Sequence, residues 1–201
     1  MKLFYAPGAC SLSPHIALEE SGLKYSLEKL DFATRKVDGV DFSTINPKGY
    51  VPALQLDDGQ VLTEGPAIVQ YIADKVPEKK LAPPAGTIEH YRLLEWLNFI
   101  TAEVHKPIGS LFNPNMLDSV RQATIANIGK RLGYVESALA KQPYLMGDTF
   151  TVADGYLFWT VSAAQHLKLD LSAFPAVLKH REKIAARPAV QAVLKAEGLL
   201  H

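Results

Sequence analysis

Cys10, the one cysteine in 201 residues, stands between a turn signal, Pro7-Gly8, and a helical pattern that starts at Ser11. The first backbone N–H groups of a helix have no partner inside it, and they sit at the positive end of its dipole. Both effects favour a thiolate over a thiol. A free cysteine in a core is an inert small hydrophobe, but this turn placement is that of a reactive one. Cys10-Ser-Leu-Ser13 has the spacing of a C-x-x-C redox motif with Ser13 in place of the second sulfur. Disulfide chemistry here therefore needs a resolving thiol from outside, for which glutathione is the abundant cytosolic candidate.

Three further positions have chemical potential. Val51-Pro52 precedes a strand pattern, and an X-Pro bond there can be cis, turning the Val51 backbone outward to pair with an extended peptide. A trans edge proline is the alternative. Thr63-Glu64-Gly65-Pro66 puts a carboxylate and a glycine at a helix start, where N–H groups bind a carboxylate and Glu64 can take an ammonium. Helix capping by Thr63 or Glu64 explains the same residues. Asn98 and His105 lie seven residues apart in one helical pattern, near Thr101 and Ala102, which two α-helical turns place on one face. That face can wall a polar pocket, or His105 can be an ordinary surface histidine. Thr151-Val-Ala-Asp154 fits a capping box and is assigned to folding. The six histidines are scattered without zinc-site spacing, so no metal is expected.

The elements that must hold these residues follow from periodicity and breakers. A short apolar run at 3–5 reads as a strand, 11–21 as a helix stopped by Gly22, and 25–30 as a second strand. The stretch 32–45 reads as a loop with a weak helical turn. Two alternating runs across 53–63 flank Asp58-Gly59 and predict a hairpin with a two-residue turn. A helix follows from Gly65. The order β-α-β-loop-β-β-α predicts a small mixed sheet with helices packed on it. Residues 76–86 hold three prolines and a glycine and read as a linker. Beyond it every pattern is helical: 87–109, 118–140, 151–167, 174–186 and a short piece after Pro188. The chain is thus expected to form two domains, an α/β domain over 1–80 and an all-α domain over 87–201.

Lys+Arg and Asp+Glu both number 21, so no long-range field steers the chain to nucleic acid or anionic lipid. An apolar fraction of 48% is ordinary for a globular protein. No stretch is apolar enough for a membrane span, and the N-terminal residues lack an export pattern. A cytoplasmic location is the expectation.

The segments Leu3-Phe-Tyr-Ala-Pro-Gly-Ala-Cys-Ser-Leu-Ser13, Asn46-Pro-Lys-Gly-Tyr-Val-Pro-Ala53, Leu62-Thr-Glu-Gly-Pro-Ala-Ile68, Glu95-Trp-Leu-Asn98 and Glu103-Val-His-Lys106 resemble the bacterial beta-class glutathione transferases. The resemblance covers essentially the whole chain. It implies a thioredoxin-like N-terminal domain with a four-stranded mixed sheet, an all-α helical-bundle C-terminal domain, a homodimer and a cis Val51-Pro52 bond. It also implies glutathione as co-substrate rather than a resident cofactor. Carried over by motif, the catalytic residues are Cys10 and His105. The glutathione-binding set is Cys10, Arg35, Val51, Glu64, Gly65, Asn98, Ala102, Glu103, Val104, His105 and Lys106. Arg35 stands where the family has a lysine near the glycyl carboxylate, which keeps the charge and changes the geometry. Tyr5 matches a catalytic tyrosine of other classes that in this class is turned away, and it is left out.

The implied reaction is attack of the glutathione thiolate on a hydrophobic electrophile, with thiol exchange through Cys10. A monothiol glutaredoxin-like reductase and a non-catalytic carrier of hydrophobic ligands are the alternatives. Phe112, Met116, Trp159 and His166 are candidates for the electrophile pocket and are equally at home in a core.

Overall fold

A computed structural model of the chain describes residues 1–200. The chain divides into two compact units: Met1–Ala82 together with the segment from Arg187 onward, and Pro83–Ala186.

The first unit is built on a sheet of strands β1 (Lys2–Tyr5), β2 (Ser26–Lys29), β5 (Ala53–Gln55) and β6 (Val61–Thr63), in the order β2-β1-β5-β6. β1 runs parallel to β2 and antiparallel to β5, and β5 pairs antiparallel with β6. This is the expected thioredoxin-like mixed sheet. Leu3, Phe4 and Tyr5 are all buried, so β1 is covered on both faces, and its apolar run shows no alternation.

Helix α1 (Leu12–Ser21) packs against α2 (Gly65–Asp74) and α8 (Pro188–Ala196). Every residue from Leu12 to Leu18 is buried, including Ser13 and His15, and Gly22 ends the helix in the left-handed conformation at φ 72°. The sequence pattern gave α1 a single apolar side. Its second side is covered by α8, which comes from the far end of the chain. For the same reason α8 joins the first compact unit although it lies at the end of the expected 87–201 segment. The break after Ala82 falls in the proline-rich linker, while α8 belongs with the first unit.

Two turns also differ from expectation. The stretch 32–45 contains a small hairpin, β3 (Lys36–Val37) with β4 (Val40–Asp41), before a 3₁₀ turn over Phe42–Thr44. Its turn residues Asp38 and Gly39 have φ of 47° and 82°, the positive values that a tight two-residue hairpin needs. Val37 and Phe42 join Phe4, Leu30, Val51 and Ala53 in one apolar cluster, which fastens this polar segment to the sheet. The β5-β6 hairpin exists, but its loop spans Asp57, Asp58 and Gly59. Leu56 N–H reaches Gln60 O at 2.8 Å, and Gly59 takes φ 87°. Asp58 accepts the Gln60 N–H, which stabilises the longer turn.

The second unit is all helical: α3 (Ile88–Phe99), α4 (Lys106–Ser110), α5 (Asp118–Leu139), α6 (Val152–His166) and α7 (Pro175–Ala185). α6 is apolar all round and buried from Val152 to Val161, as a central helix must be. The capping box forms, with Thr151 N–H donating to Asp154 Oδ2 at 2.8 Å. Asp154 also accepts Leu145 N–H and pairs with His180 Nε2 at 2.9 Å, so one buried carboxylate ties three segments together. No helix among the described residues is long and apolar enough to cross a membrane.

Candidate active site

Cys10 lies on the turn between β1 and α1, and the turn is fixed from both ends. Ser11, fully buried, accepts Ala6 N–H at 3.1 Å and donates back to Ala6 O at 3.2 Å. Gly8 N–H donates to Glu197 Oε2 at 2.9 Å. Gly8 has φ 72°, a conformation that favours glycine. So held, Cys10 Sγ donates to the Val51 carbonyl at 3.3 Å. The sulfur is the donor, so this contact belongs to the thiol. Ser13, where a redox motif has its second cysteine, is buried with no hydrogen-bond partner for its Oγ among the described residues.

Val51 precedes a cis bond to Pro52. The segment leading to it is pinned by Asn46, which is buried; Nδ2 donates to Tyr50 O at 2.7 Å and Oδ1 accepts Lys48 N–H at 3.1 Å. Arg35, at φ 59°, donates its guanidinium to Gly49 O, two residues before Val51. Glu64 precedes α2 at φ 70°. Its Oε1 accepts Lys48 Nζ at 2.6 Å and Tyr50 O–H at 2.9 Å. Both contacts raise the donor's pKa, because hydrogen bonding to the carboxylate holds the proton on Lys48 and on Tyr50. A side chain at Gly65 would meet Pro52 at 3.9 Å. The structure thus gathers Cys10, Arg35, Val51, Glu64 and Gly65 around one hub, the segment 46–53.

Asn46, Lys48, Tyr50 and Glu197 were not assigned from the sequence. Asn46-Pro47 carries an ordinary turn signal, whereas nothing in the sequence links Glu197 to a turn 189 residues away. Tyr5 is buried, and both burial and the charge of Glu197 raise its pKa.

In the second unit, the predicted helix over 87–109 is interrupted by a π-helical segment, Ile100–His105, between α3 and α4. Its wider i→i+5 turns underwind the helix, so residues seven apart no longer close two α-turns. The single shared face expected for Asn98 and His105 is corrected accordingly. Asn98, Ala102 and Lys106 form an exposed row, and Val104 is fully buried in the core. Glu103 Oε2 pairs with Arg131 Nε at 2.7 Å. His105 is partly buried; Nδ1 lies 2.6 Å from Tyr156 Oη, and the ring stacks edge-on to Trp159 at 4.4 Å. π-segments inside α-helices concentrate at functional sites.

A cleft of about 240 Å³ in this unit is lined by Glu95, Trp96, Phe99, Lys130, Arg131 and Tyr134. None of the electrophile-pocket candidates lines it. Phe112 stacks on His166 at 6.2 Å, and Trp159 is buried.

Comparison with known proteins decides the family. Residues 8–75 match the glutathione S-transferase N-terminal domain, and residues 103–197 match the glutathione S-transferase C-terminal domain. The chain belongs to the glutathione S-transferase family.

Within that family, glutathione S-transferase GstA of Escherichia coli O157:H7 is 44% identical over 99% of this chain and 100% of its own. The bacterial glutathione transferase BphK, solved as a ternary complex, is 51% identical, with a TM-score of 0.97 over 99% of this chain and 100% of its own. The beta-class enzyme of Sphingomonas chungbukensis is 48% identical, with a TM-score of 0.95 over the whole of both chains (100%). A sphingomonad glutathione S-transferase solved with glutathione is 46% identical, with the same TM-score and coverage. The likeness is to the bacterial beta class over the full chain, and the protein is a glutathione transferase enzyme with that class's fold.

Proposed function

We propose that this transferase joins glutathione, as co-substrate and without a resident cofactor, to hydrophobic electrophiles, acting as a cytoplasmic homodimer. The observation that carries this reading is the 3.3 Å approach of Cys10 Sγ to the Val51 carbonyl. A peptide whose cysteinyl backbone pairs with Val51 by strand addition brings its own sulfur beside Cys10. Its γ-glutamyl end then extends to Glu64 and Gly65, and its glycyl carboxylate to Arg35. The sphingomonad relative solved with glutathione, alike over the whole chain, supports glutathione as the ligand.

A free thiol with pKa about 8.5 is mostly protonated at neutral pH. Stabilising the sulfur anion is therefore the useful work of the site. The thiol proton leaves to solvent, the thiolate attacks the electrophilic carbon, and the C–S bond forms as the leaving group departs with its electron pair. Cys10 S–H and the His105 imidazole are the donors that hold the anion. With Tyr156 O–H donating to Nδ1, a neutral His105 ring carries its proton on Nε2 and presents it at the opposite edge. Asn98, Ala102, Glu103 and Lys106 complete the glutathione site in this reading, while Val104, with no exposed surface, packs in the core beneath them. Thiol exchange is the second activity. Cys10 sulfur attacks a glutathione mixed disulfide, takes the glutathionyl group and releases the other thiol; the thiolate of a second glutathione then attacks that glutathionyl sulfur, leaves as glutathione disulfide and returns Cys10 as the thiolate.

Steady-state rates with an aryl halide and with a mixed disulfide test the division of labour. His105→Ala is expected to lower conjugation by roughly 10²-fold, the scale of a lost oxyanion-type donor, and to spare exchange. Cys10→Ala is expected to abolish exchange and only weaken conjugation. Equal, near-total loss of both activities in Cys10→Ala contradicts the proposal. Phe112, Met116, Trp159 and His166 are proposed to line the electrophile's pocket. Ile88, Tyr91 and Tyr134 are more than half exposed on α3 and α5 and supply apolar surface for a second copy; sedimentation velocity reads the dimer directly.

A further inference from the structure

Lys48 Nζ lies 2.6 Å from Glu64 Oε1 and donates to Thr63 Oγ1 at 3.0 Å, while Tyr50 O–H holds the same Glu64 oxygen at 2.9 Å. The side chains of Lys48 and Glu64 are 46% and 49% exposed, so a ligand can reach both charges. Exposed pairs of this kind add little to stability. Glu64 nonetheless holds φ 70°, a strained non-glycine conformation that persists where the surroundings over-determine it. Lys48 is carried by the segment that Asn46 pins beside Val51.

We infer that Lys48 recognises the α-carboxylate of the ligand's γ-glutamyl end, with Glu64 taking the α-ammonium and Tyr50 keeping the Glu64 carboxylate in position. This rests on glutathione being the ligand. An α-amino-acid end is a zwitterion. When it enters the Lys48–Glu64 pair, one contact becomes two, and each of the four charges keeps an opposite partner. A ligand with the amine alone satisfies Glu64 and leaves Lys48 to water, and one with the carboxylate alone does the reverse. The pair therefore selects amino-acid ends over simple amines or acyl groups. Lys48 contacts the ligand as a specificity residue, and Tyr50 acts through Glu64 as a positioning residue.

Calorimetric titration with two peptides tests this. One is glutathione; the other is 4-aminobutyryl-cysteinyl-glycine, which keeps the amine and lacks the α-carboxylate. Lys48→Gln is expected to weaken glutathione about fivefold, the upper range for an exposed charge contact, and not to weaken the analogue, whose amine no longer competes with Lys48 for Glu64. Lys48→Arg should restore most of the glutathione affinity, and Tyr50→Phe should weaken both peptides by the same factor. Equal loss for both peptides in Lys48→Gln, or no loss for glutathione, overturns the role of Lys48 while leaving the glutathione reading intact. Failure of the unmodified protein to bind either peptide overturns the glutathione reading itself, and the role of Lys48 with it.

Discussion

His15 Nδ1 and Glu197 Oε1 lie 2.7 Å apart with side chains 1% and 0% exposed, joining α1 to the residue that caps α8. The other carboxylate oxygen of Glu197 holds Gly8 N–H, two residues before Cys10. Arg187, at the start of α8, grips Glu20 with two nitrogens, Nε at 2.5 Å and Nη2 at 2.9 Å. The last helix is thus fastened to the turn that carries Cys10.

Glu197→Ala should therefore cost about 3–5 kcal/mol, the scale for removing one partner of a buried pair. It leaves both His15 and Gly8 N–H without their acceptor. Glu197→Gln keeps an acceptor for Gly8 and should cost less. Urea unfolding gives the stabilities, and alkylation of Cys10 by iodoacetamide in the folded variants reports whether the turn has moved. An unchanged midpoint in Glu197→Ala would show the pair to be inconsequential.

Asp154→Ala should be at least as damaging, by about 3–5 kcal/mol. Its fully buried carboxylate serves Thr151, Leu145 and His180 at once. The loss belongs to folding. Folded enzyme recovered at low temperature should keep its KM for glutathione, and a raised KM with an unchanged midpoint would contradict that.

Alkaline pH should loosen the first unit. Burial, then the charge of Glu197, raises the pKa of Tyr5; burial, then the hydrogen bond to Glu19, raises that of Tyr25, both from 10.0. A raised folded pKa means that the folded state keeps its proton longer than the unfolded chain. The contribution is complete below pH 10.0 and is lost as pH climbs toward the folded values. Thermal midpoints measured from pH 8 to 11 should fall at the alkaline end, and Tyr25→Phe should flatten that fall.

Tyr156→Phe removes the hydroxyl at His105 Nδ1. It should lower kcat for aryl halide conjugation several-fold with little change in KM, because the ring loses a partner at Nδ1 that fixes its tautomer and orientation. A change in KM alone would point to a packing effect rather than a tautomeric one.

Much of this was readable from residues in order. The Pro7-Gly8 turn, the Gly22 stop, the Thr151 cap and the alternation about Asp58-Gly59 each depend on local sterics and local hydrogen bonds, which neighbouring residues determine. The Asp38-Gly39 hairpin carries the same kind of turn signal, but its flanking strands are only two residues each, too short for an alternating pattern. The π-segment at Ile100–His105 left no such mark, since the apolar spacing there suits an α-helix equally well.

By itself the sequence determined the order of the main strands and helices, the turn that carries Cys10 and the motif from Asn46 to Ala53 on which the family resemblance rests. These follow from backbone preferences and motifs within a few residues. Only the tertiary structure decided that α8 covers α1, that Glu197 secures the Cys10 turn, and that Lys48 and Tyr50 share one oxygen of Glu64. Those contacts join residues from 14 to 189 positions apart, and a buried carboxylate's partner is set by which surfaces close over it, which no local pattern encodes.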